Sequence, residues 1–203
     1  MNIGIIGRAR VGKDSAGQWL VDERGYRRVA FADPLKEAAL KLDPIVGNEE
    51  FYLAGPGGGT VVSDRRLSEE VGQRGWEAAK DYPEVRRILQ ELGAAVRALD
   101  VDFWLRAAMK KVVEANDAGT PVVVTDVRYP NEAASLRRSG FHLVYIERPG
   151  VEQMAHESEN ALTLLDADYH IVNDGPVTSL LAAIESVWED VHTRESRRLA
   201  CKF

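Results

Sequence analysis

The chain of 203 residues contains a single cysteine, Cys201, and no long apolar run. A lone cysteine excludes a disulfide within the chain and favours a reducing compartment. A membrane-spanning helix needs about 18 or more consecutive apolar residues, and no stretch of the sequence approaches that length. The N-terminus is typical of a strand rather than of a signal peptide. We therefore expect a cytoplasmic protein without a membrane partner.

The sequence also lacks an excess of positive charge. Its 26 lysine and arginine residues are outnumbered by 32 aspartate and glutamate residues, and the formal net charge is −6. A protein that binds nucleic acid through its surface usually has a basic face, so no nucleic-acid partner is expected. The length suits one well-buried α/β domain with a small helical insert.

A glycine-bounded loop stands near the N-terminus, between an apolar run and a helix-compatible segment. The run 3–6 leads into the loop Gly7-Arg8-Ala9-Arg10-Val11-Gly12-Lys13-Asp14-Ser15. Strand, loop, lysine and helix follow one another in the order that a phosphate-binding loop requires. Gly7 allows a sharp exit from the strand, and Gly12 lets backbone N–H groups approach phosphate oxygens. Lys13 adds a positive charge at the N-terminal end of the helix, which itself favours anions.

Asp14 departs from the general phosphate-loop pattern. In that pattern the lysine is followed by serine or threonine, whose hydroxyl binds magnesium, whereas here Ser15 comes one position later. Asp14 can bind magnesium, directly or through water, or can pair with Lys13 or Arg10. A glycine-rich turn in another kind of βα unit is the alternative to a phosphate loop.

The rest of the chain alternates short apolar strands with amphipathic helices. The pattern predicts strands over 3–6, 25–31, 122–126, 141–147 and 169–172, and helices over 16–22, 34–41, 83–98, 101–116, 131–139 and 177–192. Such alternation implies an α/β fold, a five-stranded and mostly parallel sheet with helices on both faces. Asp33 is predicted to cap the second helix. The segment 42–82 is the least regular part, and 54–60 within it is interpreted as a loop.

Charged residues concentrate at the carboxyl ends of the predicted strands, where ligands bind in sheets of this kind. Asp126 ends an apolar strand, a position from which a carboxylate can hold magnesium opposite the phosphate loop. The alternatives are a helix cap or an ion pair with Arg128. Phosphoryl transfer needs cations around the moving group. The strand ends supply Arg8, Arg10, Lys36, Arg128 and Arg148.

Several motifs together resemble the bacteriophage-type deoxynucleoside monophosphate kinase family. They are GRARVGKDSAG (7–17), FADPLKEAAL (31–40), RILQELGAAVRALDVDFW (87–104), VVVTDVRYPNEAASLRRSG (122–140), YIERPG with the following HESE (145–159), and NDG (173–175). They cover nearly the whole chain except 42–82 and the tail. In that family aspartate usually follows the loop lysine, so Asp14 fits the family pattern.

The resemblance implies a P-loop kinase fold and transfer of the γ-phosphoryl group of ATP to a dNMP, giving a dNDP. It implies a single domain, 1–203, with an acceptor-binding insert at about 34–100 and a lid at about 148–166. ATP and Mg²⁺ would be the cofactors and nucleotides the partners, in a host cytoplasm if a phage encodes the protein.

The resemblance also implies residue roles. Gly7–Ser15 would bind the donor, with Lys13 and Ser15 at its phosphates, and Asn173 would lie near its adenine unless it is an ordinary turn residue. Catalytic cations would be Lys13, Arg128 and Arg148. Candidate acceptor ligands are Asp33, Lys36, Arg65 or Arg66, and Arg97. Candidate magnesium ligands are Asp14, Ser15 and Asp126.

Two other functions compete with this interpretation. One is a related kinase with another acceptor, such as phosphomevalonate, dephospho-coenzyme A or a hydroxymethylated base in DNA. The other is a module that binds ATP or GTP without transfer, although no Asn-Lys-x-Asp segment for reading guanine is present. The helices predicted within 83–116 suit either an acceptor-site wall or the interface of a homodimer.

Overall fold

The computed structural model describes residues 1–52, 54–55, 58–151 and 161–201. The strands are β1 (Asn2–Ile6), β2 (Arg27–Val29), β3 (Ile45–Tyr52), β4 (Thr60–Arg66), β5 (Val122–Val127), β6 (Phe141–Glu147) and β7 (Tyr169–Val172). The helices are α1 (Lys13–Arg24), α2 (Ala32–Leu42), α3 (Leu67–Ala79), α4 (Pro83–Leu99), α5 (Phe103–Asp117), α6 (Pro130–Arg138) and α7 (Val177–Ala200). A short 3₁₀ turn occupies Leu164–Asp166.

The chain divides into two compact units. The first comprises Met1–Phe31 and Leu105–Phe203, and the second comprises Ala32–Trp104. Among the described residues, no helix is both long and apolar enough to span a membrane.

The first unit contains a five-stranded sheet in the order β2-β5-β1-β6-β7, with every neighbouring pair parallel. The predicted α/β fold class is therefore confirmed. β1 lies at the centre, and each of its residues is buried because both faces of the sheet are covered. The central strand delivers the glycine-rich loop to the carboxyl edge of the sheet, beside the end of β5.

Two apolar layers cover this sheet. On one face, side chains of α5 and α6 such as Ala108, Val112 and Leu136 pack against Ile6 and Val124. On the other face, α1 and α7 pack against Ile3, Ile5 and Val123 through residues that include Leu20, Leu180 and Ile184. α1 lies so close to the sheet that a Cβ on Gly17 would be only 2.3 Å from Cγ2 of Thr125. The position of the glycine-rich loop is therefore set by packing on both faces.

The second unit contains an antiparallel hairpin, β3–β4, together with α2, α3 and α4. Ala39, Val46, Leu67, Ala79 and Val85 form its core. The segment 42–82 was predicted to be the least regular part of the chain, which was wrong, since β3, β4 and α3 lie within it. Most hairpin residues are exposed on both faces, so the strands lack the alternating apolar pattern by which strands are recognised.

Helix boundaries also differ from the predictions in places. α2 begins at Ala32, so Asp33 lies in its first turn and is not the residue before the helix. α1 continues to Arg24, where Gly25 ends it with a left-handed φ of 68°. α7 continues to Ala200 rather than ending at residue 192. The predicted lid at about 148–166 lies partly outside the described residues, and the HESE motif (156–159) lies entirely outside them.

Candidate phosphate-binding site

Glycine is required at both ends of the loop between β1 and α1. Gly7 has a φ of 149°, and a Cβ there would lie 2.3 Å from the carbonyl oxygen of Ile146. Gly12 has a φ of 103°, and its Cβ would lie 2.6 Å from Cδ2 of Leu180. Arg10, between them, also has a left-handed φ of 65°. A side chain at either glycine would displace the loop from the sheet edge or from α7.

The backbone N–H groups in the first turn of α1 point toward the N-terminal end of the helix. Gly12 is the residue before the helix, and it supplies no side-chain cap. The carbonyl oxygen of Gly12 accepts from the N–H of Ala16, 3.0 Å away, which begins the helical pattern. The N–H groups of this first turn have no acceptor within the helix, and the helix dipole adds positive potential at the same end. This end of α1 has the character of an anion site.

Lys13 is buried within the loop, with 7% of its surface exposed. Its Nζ donates a hydrogen bond to the main-chain carbonyl oxygen of Arg8. Burial of a lysine is uncommon unless the ammonium has partners, so the loop is built around this charge. A positive charge held at this position raises the affinity of the loop for phosphate oxygens.

A cavity of ≈ 400 Å³ opens beside the loop. It brings together Gly12, Lys13, Asp14, Ser15 and Arg10 of the loop with Arg148 after β6 and Asn173 after β7. Its other wall contains Gly175, Pro176, Val177 and Leu180, at the start of α7. A volume of this size lies within the range of small-molecule sites.

Two further cavities adjoin the loop and are lined by arginines. One of ≈ 330 Å³ is lined by Arg8, Tyr145 and Arg148 among others, and a smaller one by Arg8, Tyr145 and Arg128. Nε of Arg8 is buried and has no hydrogen-bond partner among the described residues. The structure therefore brings Arg8, Arg128 and Arg148 to the same sheet edge, as the strand ends predicted. Guanidinium groups bind phosphate in bidentate fashion, so the edge suits a polyphosphate.

Asp126, a predicted magnesium ligand, lies at the end of β5. Its Oδ1 accepts a hydrogen bond from the N–H of Phe31, 2.9 Å away, and so ties the end of β5 to the residue before α2. Among the described residues, no group of three or more His, Cys, Asp or Glu side chains is placed to hold a metal ion. A magnesium ion would therefore depend on one or two carboxylates or hydroxyls together with nucleotide oxygens and water, which is its usual manner of binding. Asp14 and Ser15, both exposed in the first turn of α1, fit that requirement.

Glu132, which was not among the residues predicted from the sequence, supports the segment that follows β5. Its side chain is buried, and Oε2 accepts from the N–H groups of Arg128 and Tyr129 at 2.8 and 3.0 Å. The signal was present, because Pro130 at the first helical position and a glutamate two residues later are typical of a helix start. Glu132 thereby holds the main chain at Arg128.

The predicted acceptor ligands lie in the second unit. Arg65 forms ion pairs with Glu49 and, at 2.7 Å, with Glu70, and it donates to the hydroxyl of Tyr82 at 3.0 Å. Arg66 donates to the carbonyl oxygen of Asp43 at 2.9 Å. The remaining predicted ligands are Asp33 in the first turn of α2, Lys36 with its Nζ 5.5 Å from the Trp76 ring centroid, and Arg97 in the last turn of α4. Their role as acceptor ligands stays a prediction.

The ion pairs of Arg65 belong to a partly buried network centred on Glu70. The Glu70 side chain is fully buried and also pairs with Arg74 at 2.8 Å. The hydrogen bond from Arg74 to Glu70 raises the pKa of the Arg74 guanidinium. No pattern in the sequence distinguishes Glu70 from the other glutamates of α3, because its burial depends on how the helix packs.

Comparison with known proteins identifies the family. The model of the deoxynucleotide monophosphate kinase family matches residues 61–184, which is more than half of the chain. The chain belongs to the deoxynucleotide monophosphate kinase family. It is thus a member of a kinase family, and the resemblance inferred from its motifs is confirmed. The glycine-rich loop lies outside the matched residues, so the loop geometry is a separate observation.

Relatives with similar sequences occur in viruses and phages. A protein of Acanthamoeba polyphaga mimivirus, provisionally named as a deoxynucleotide monophosphate kinase, is 29% identical over 191 residues, covering 91% of this chain and 94% of that protein. The deoxynucleotide monophosphate kinase of Escherichia phage RB69 is 29% identical over 107 residues, covering 51% of this chain and 44% of that protein. Among solved structures, the shikimate kinase of Aquifex aeolicus aligns with a TM-score of 0.44 and 10% identity, over 96% of this chain and 98% of that one. That likeness is too weak to assign a fold, which rests here on the strand order.

Proposed function

We propose that the protein transfers the γ-phosphoryl group of ATP to a deoxynucleoside monophosphate, giving the diphosphate and ADP. The observation that supports this most directly is the preformed loop, with Lys13 buried at the uncapped start of α1 and a ≈ 400 Å³ cavity beside it. Family membership supports the choice of a nucleotide as acceptor.

In the proposed reaction, a phosphate oxygen of the acceptor forms a bond to the γ-phosphorus of ATP. The bond between that phosphorus and the β,γ-bridging oxygen breaks, and its electron pair leaves with ADP. The transition state places negative charge on the moving group, so cations held in position lower its energy. Lys13 and the main-chain N–H groups of α1 would bind the donor phosphates, and Arg8, Arg128 and Arg148 would surround the group in transit.

Magnesium, when bound with ATP, neutralises charge on the donor phosphates. Asp14 and Ser15 are the residues of the loop that would hold it, with Asp126 at the neighbouring strand end. The hydrogen bond that Asp126 accepts from Phe31 engages Oδ1. A carboxylate has acceptor capacity for more than one partner, so this bond and a magnesium-bound water are compatible.

The test is an ADP-release assay with ATP and magnesium across the four deoxynucleoside monophosphates and the matching ribonucleotides. We expect turnover with at least one deoxynucleotide, and the comparison with its ribonucleotide measures discrimination at the 2′ position. Phosphomevalonate, dephospho-coenzyme A and DNA with hydroxymethylated bases serve as competing acceptors. ADP release with one of these and none with any deoxynucleotide would replace the proposed acceptor.

A further inference from the structure

Asn173 is fixed beside the glycine-rich loop by the sheet. It follows β7 directly, and its N–H donates to the carbonyl oxygen of Glu147 at 2.8 Å, which extends the pairing of β6 with β7. The residue is 5% exposed. Its backbone is thus held by the same edge of the sheet that carries Arg148.

The side chain of Asn173 reaches the glycine-rich loop. Nδ2 donates to the main-chain carbonyl oxygen of Val11 at 2.9 Å, joining residues 162 positions apart in the chain. The amide also packs against Gly12, where a Cβ would lie 2.9 Å from the same Nδ2. The contact is therefore with the backbone of the loop, and only a glycine at position 12 leaves room for it.

This hydrogen bond has a consequence for the neighbouring N–H group. The carbonyl of Val11 and the N–H of Gly12 belong to one planar trans peptide, in which the two groups point in opposite directions. Holding the carbonyl against Asn173 therefore turns the N–H of Gly12 away from Asn173. A phosphate loop works only when its N–H groups face the anion and its carbonyls face elsewhere, since a carbonyl oxygen repels phosphate oxygens.

We infer that Asn173 is a positioning residue for the phosphate loop: its amide orients the Val11–Gly12 peptide so that the N–H of Gly12 faces the polyphosphate. This differs from the role near adenine that the sequence resemblance implied for the same residue. The inference rests on the proposed function only in that the loop binds a polyphosphate, whatever the acceptor.

The remaining polar atom of Asn173 is consistent with this role. Oδ1 is buried and has no hydrogen-bond partner within the part of the chain that the structure describes. Among the described residues, the side chain of Asn173 therefore bonds the protein through Nδ2, and that bond goes to the glycine-rich loop.

Inorganic tripolyphosphate separates the two roles because it has phosphates but no base. We would measure binding of magnesium tripolyphosphate, ATP and GTP to the wild type and to Asn173→Asp, which keeps the shape but replaces the donor with an acceptor. We expect the dissociation constants of both ATP and tripolyphosphate to rise roughly tenfold or more, as for the loss of a buried hydrogen bond. The ratio of ATP to GTP affinity should stay unchanged, and the amide ¹⁵N resonance of Gly12 should shift in the ligand-free variant.

Two controls keep the result interpretable. Val172 precedes Asn173 and is 46% exposed, and threonine has nearly the same shape as valine. Val172→Thr should therefore bind all three ligands as the wild type does. Asn173→Ala removes the donor without adding a carboxylate. It is measured beside Asn173→Asp, because a loss shared by both variants cannot come from repulsion between a new carboxylate and the phosphates. All measurements are made well below the unfolding midpoint of each variant.

Unchanged tripolyphosphate binding in a folded Asn173 variant overturns the inference, and a loss confined to ATP would return Asn173 to base recognition. Failure of the wild type itself to bind either polyphosphate would instead count against the proposed function.

Discussion

Lys13 Nζ donates a hydrogen bond to the carbonyl oxygen of Arg8, so the ammonium group is held inside the glycine-rich loop by the loop's own main chain. The first-turn N–H groups of α1 lie at the same place. A phosphate group is an anion and attracts an ammonium more strongly than a carbonyl dipole does. The loop is thus organised around a cation before any nucleotide is bound.

Lys13→Ala is expected to lower kcat/KM for ADP release by about 100-fold or more, because removal of one transition-state contact commonly costs that much. Circular dichroism should show the fold retained. Lys110→Ala, at an exposed position of α5, is the matched control and should keep wild-type turnover. Turnover retained in Lys13→Ala would contradict the assigned role.

Gly7→Ala is expected to lower the free energy of unfolding by roughly 1–3 kcal/mol, the usual cost of a strained backbone position. The added Cβ would meet the Ile146 carbonyl oxygen at 2.3 Å, at a φ of 149° that alanine avoids. Urea unfolding measures the change. Gly47→Ala is the control, since no atom lies within 4 Å of its Cβ position. Equal stability of the two variants would show that the loop accommodates the side chain.

Glu132→Gln tests whether the buried carboxylate holds Arg128 in place. Replacing a charged acceptor of two N–H groups by a neutral one is expected to cost about 1–2 kcal/mol of stability. It should also lower kcat more than it changes KM for ATP, because the main chain at Arg128 loses its support. Glu114→Gln, exposed on α5, is the control. A stability loss with unchanged kcat would limit Glu132 to a purely structural role.

Glu70→Gln should destabilise the second unit by about 1–3 kcal/mol, because it replaces a buried charged acceptor of two arginines by a neutral one. Glu70 is fully buried between Arg65 and Arg74, whereas Glu77, which pairs with Lys80, is 86% exposed. Glu77→Gln is therefore expected to cost less than about 1 kcal/mol. Chemical denaturation compares the two variants. Similar effects would mean that the burial of Glu70 adds nothing to its ion pairs.

The free energy of unfolding is expected to fall at alkaline pH because of the titration of the Tyr169 hydroxyl. Burial, with the hydrogen bond to Asp190, raises the pKa of the Tyr169 hydroxyl from 10.0 to about 12. Between those values the unfolded chain loses the proton and the folded chain keeps it, so the stabilisation present below pH 10 declines as the pH approaches 12. Urea titrations across this range should give a shallower decline for Tyr169→Phe. Tyr52→Phe, at a 77% exposed position, should follow the wild type. A decline of the same slope in Tyr169→Phe would contradict the prediction.

Local patterns were sufficient for most of the sheet. β1 and β5 are buried on both faces, which is why their sequences are continuous apolar runs that mark strands without any tertiary information. The glycine spacing placed the loop after the first strand, whereas the central position of that strand is seen only in the folded sheet. The hairpin β3–β4 was missed because exposed strands have no apolar face to leave a pattern in the sequence.

The sequence by itself determined the parallel sheet, the glycine-rich loop and the family, since each depends on periodicity or on residues close together in the chain. Only the tertiary structure decided which partners those residues have. The bonds of Asn173 to Val11 and of Phe31 to Asp126 join positions 162 and 95 residues apart, and no local pattern in the sequence indicates either pairing. Their existence depends on how β7 and β2 are placed in the sheet, which is set by the burial of both its faces. The reading of Asn173 as a support for the loop rather than a contact for adenine therefore depended on the folded chain.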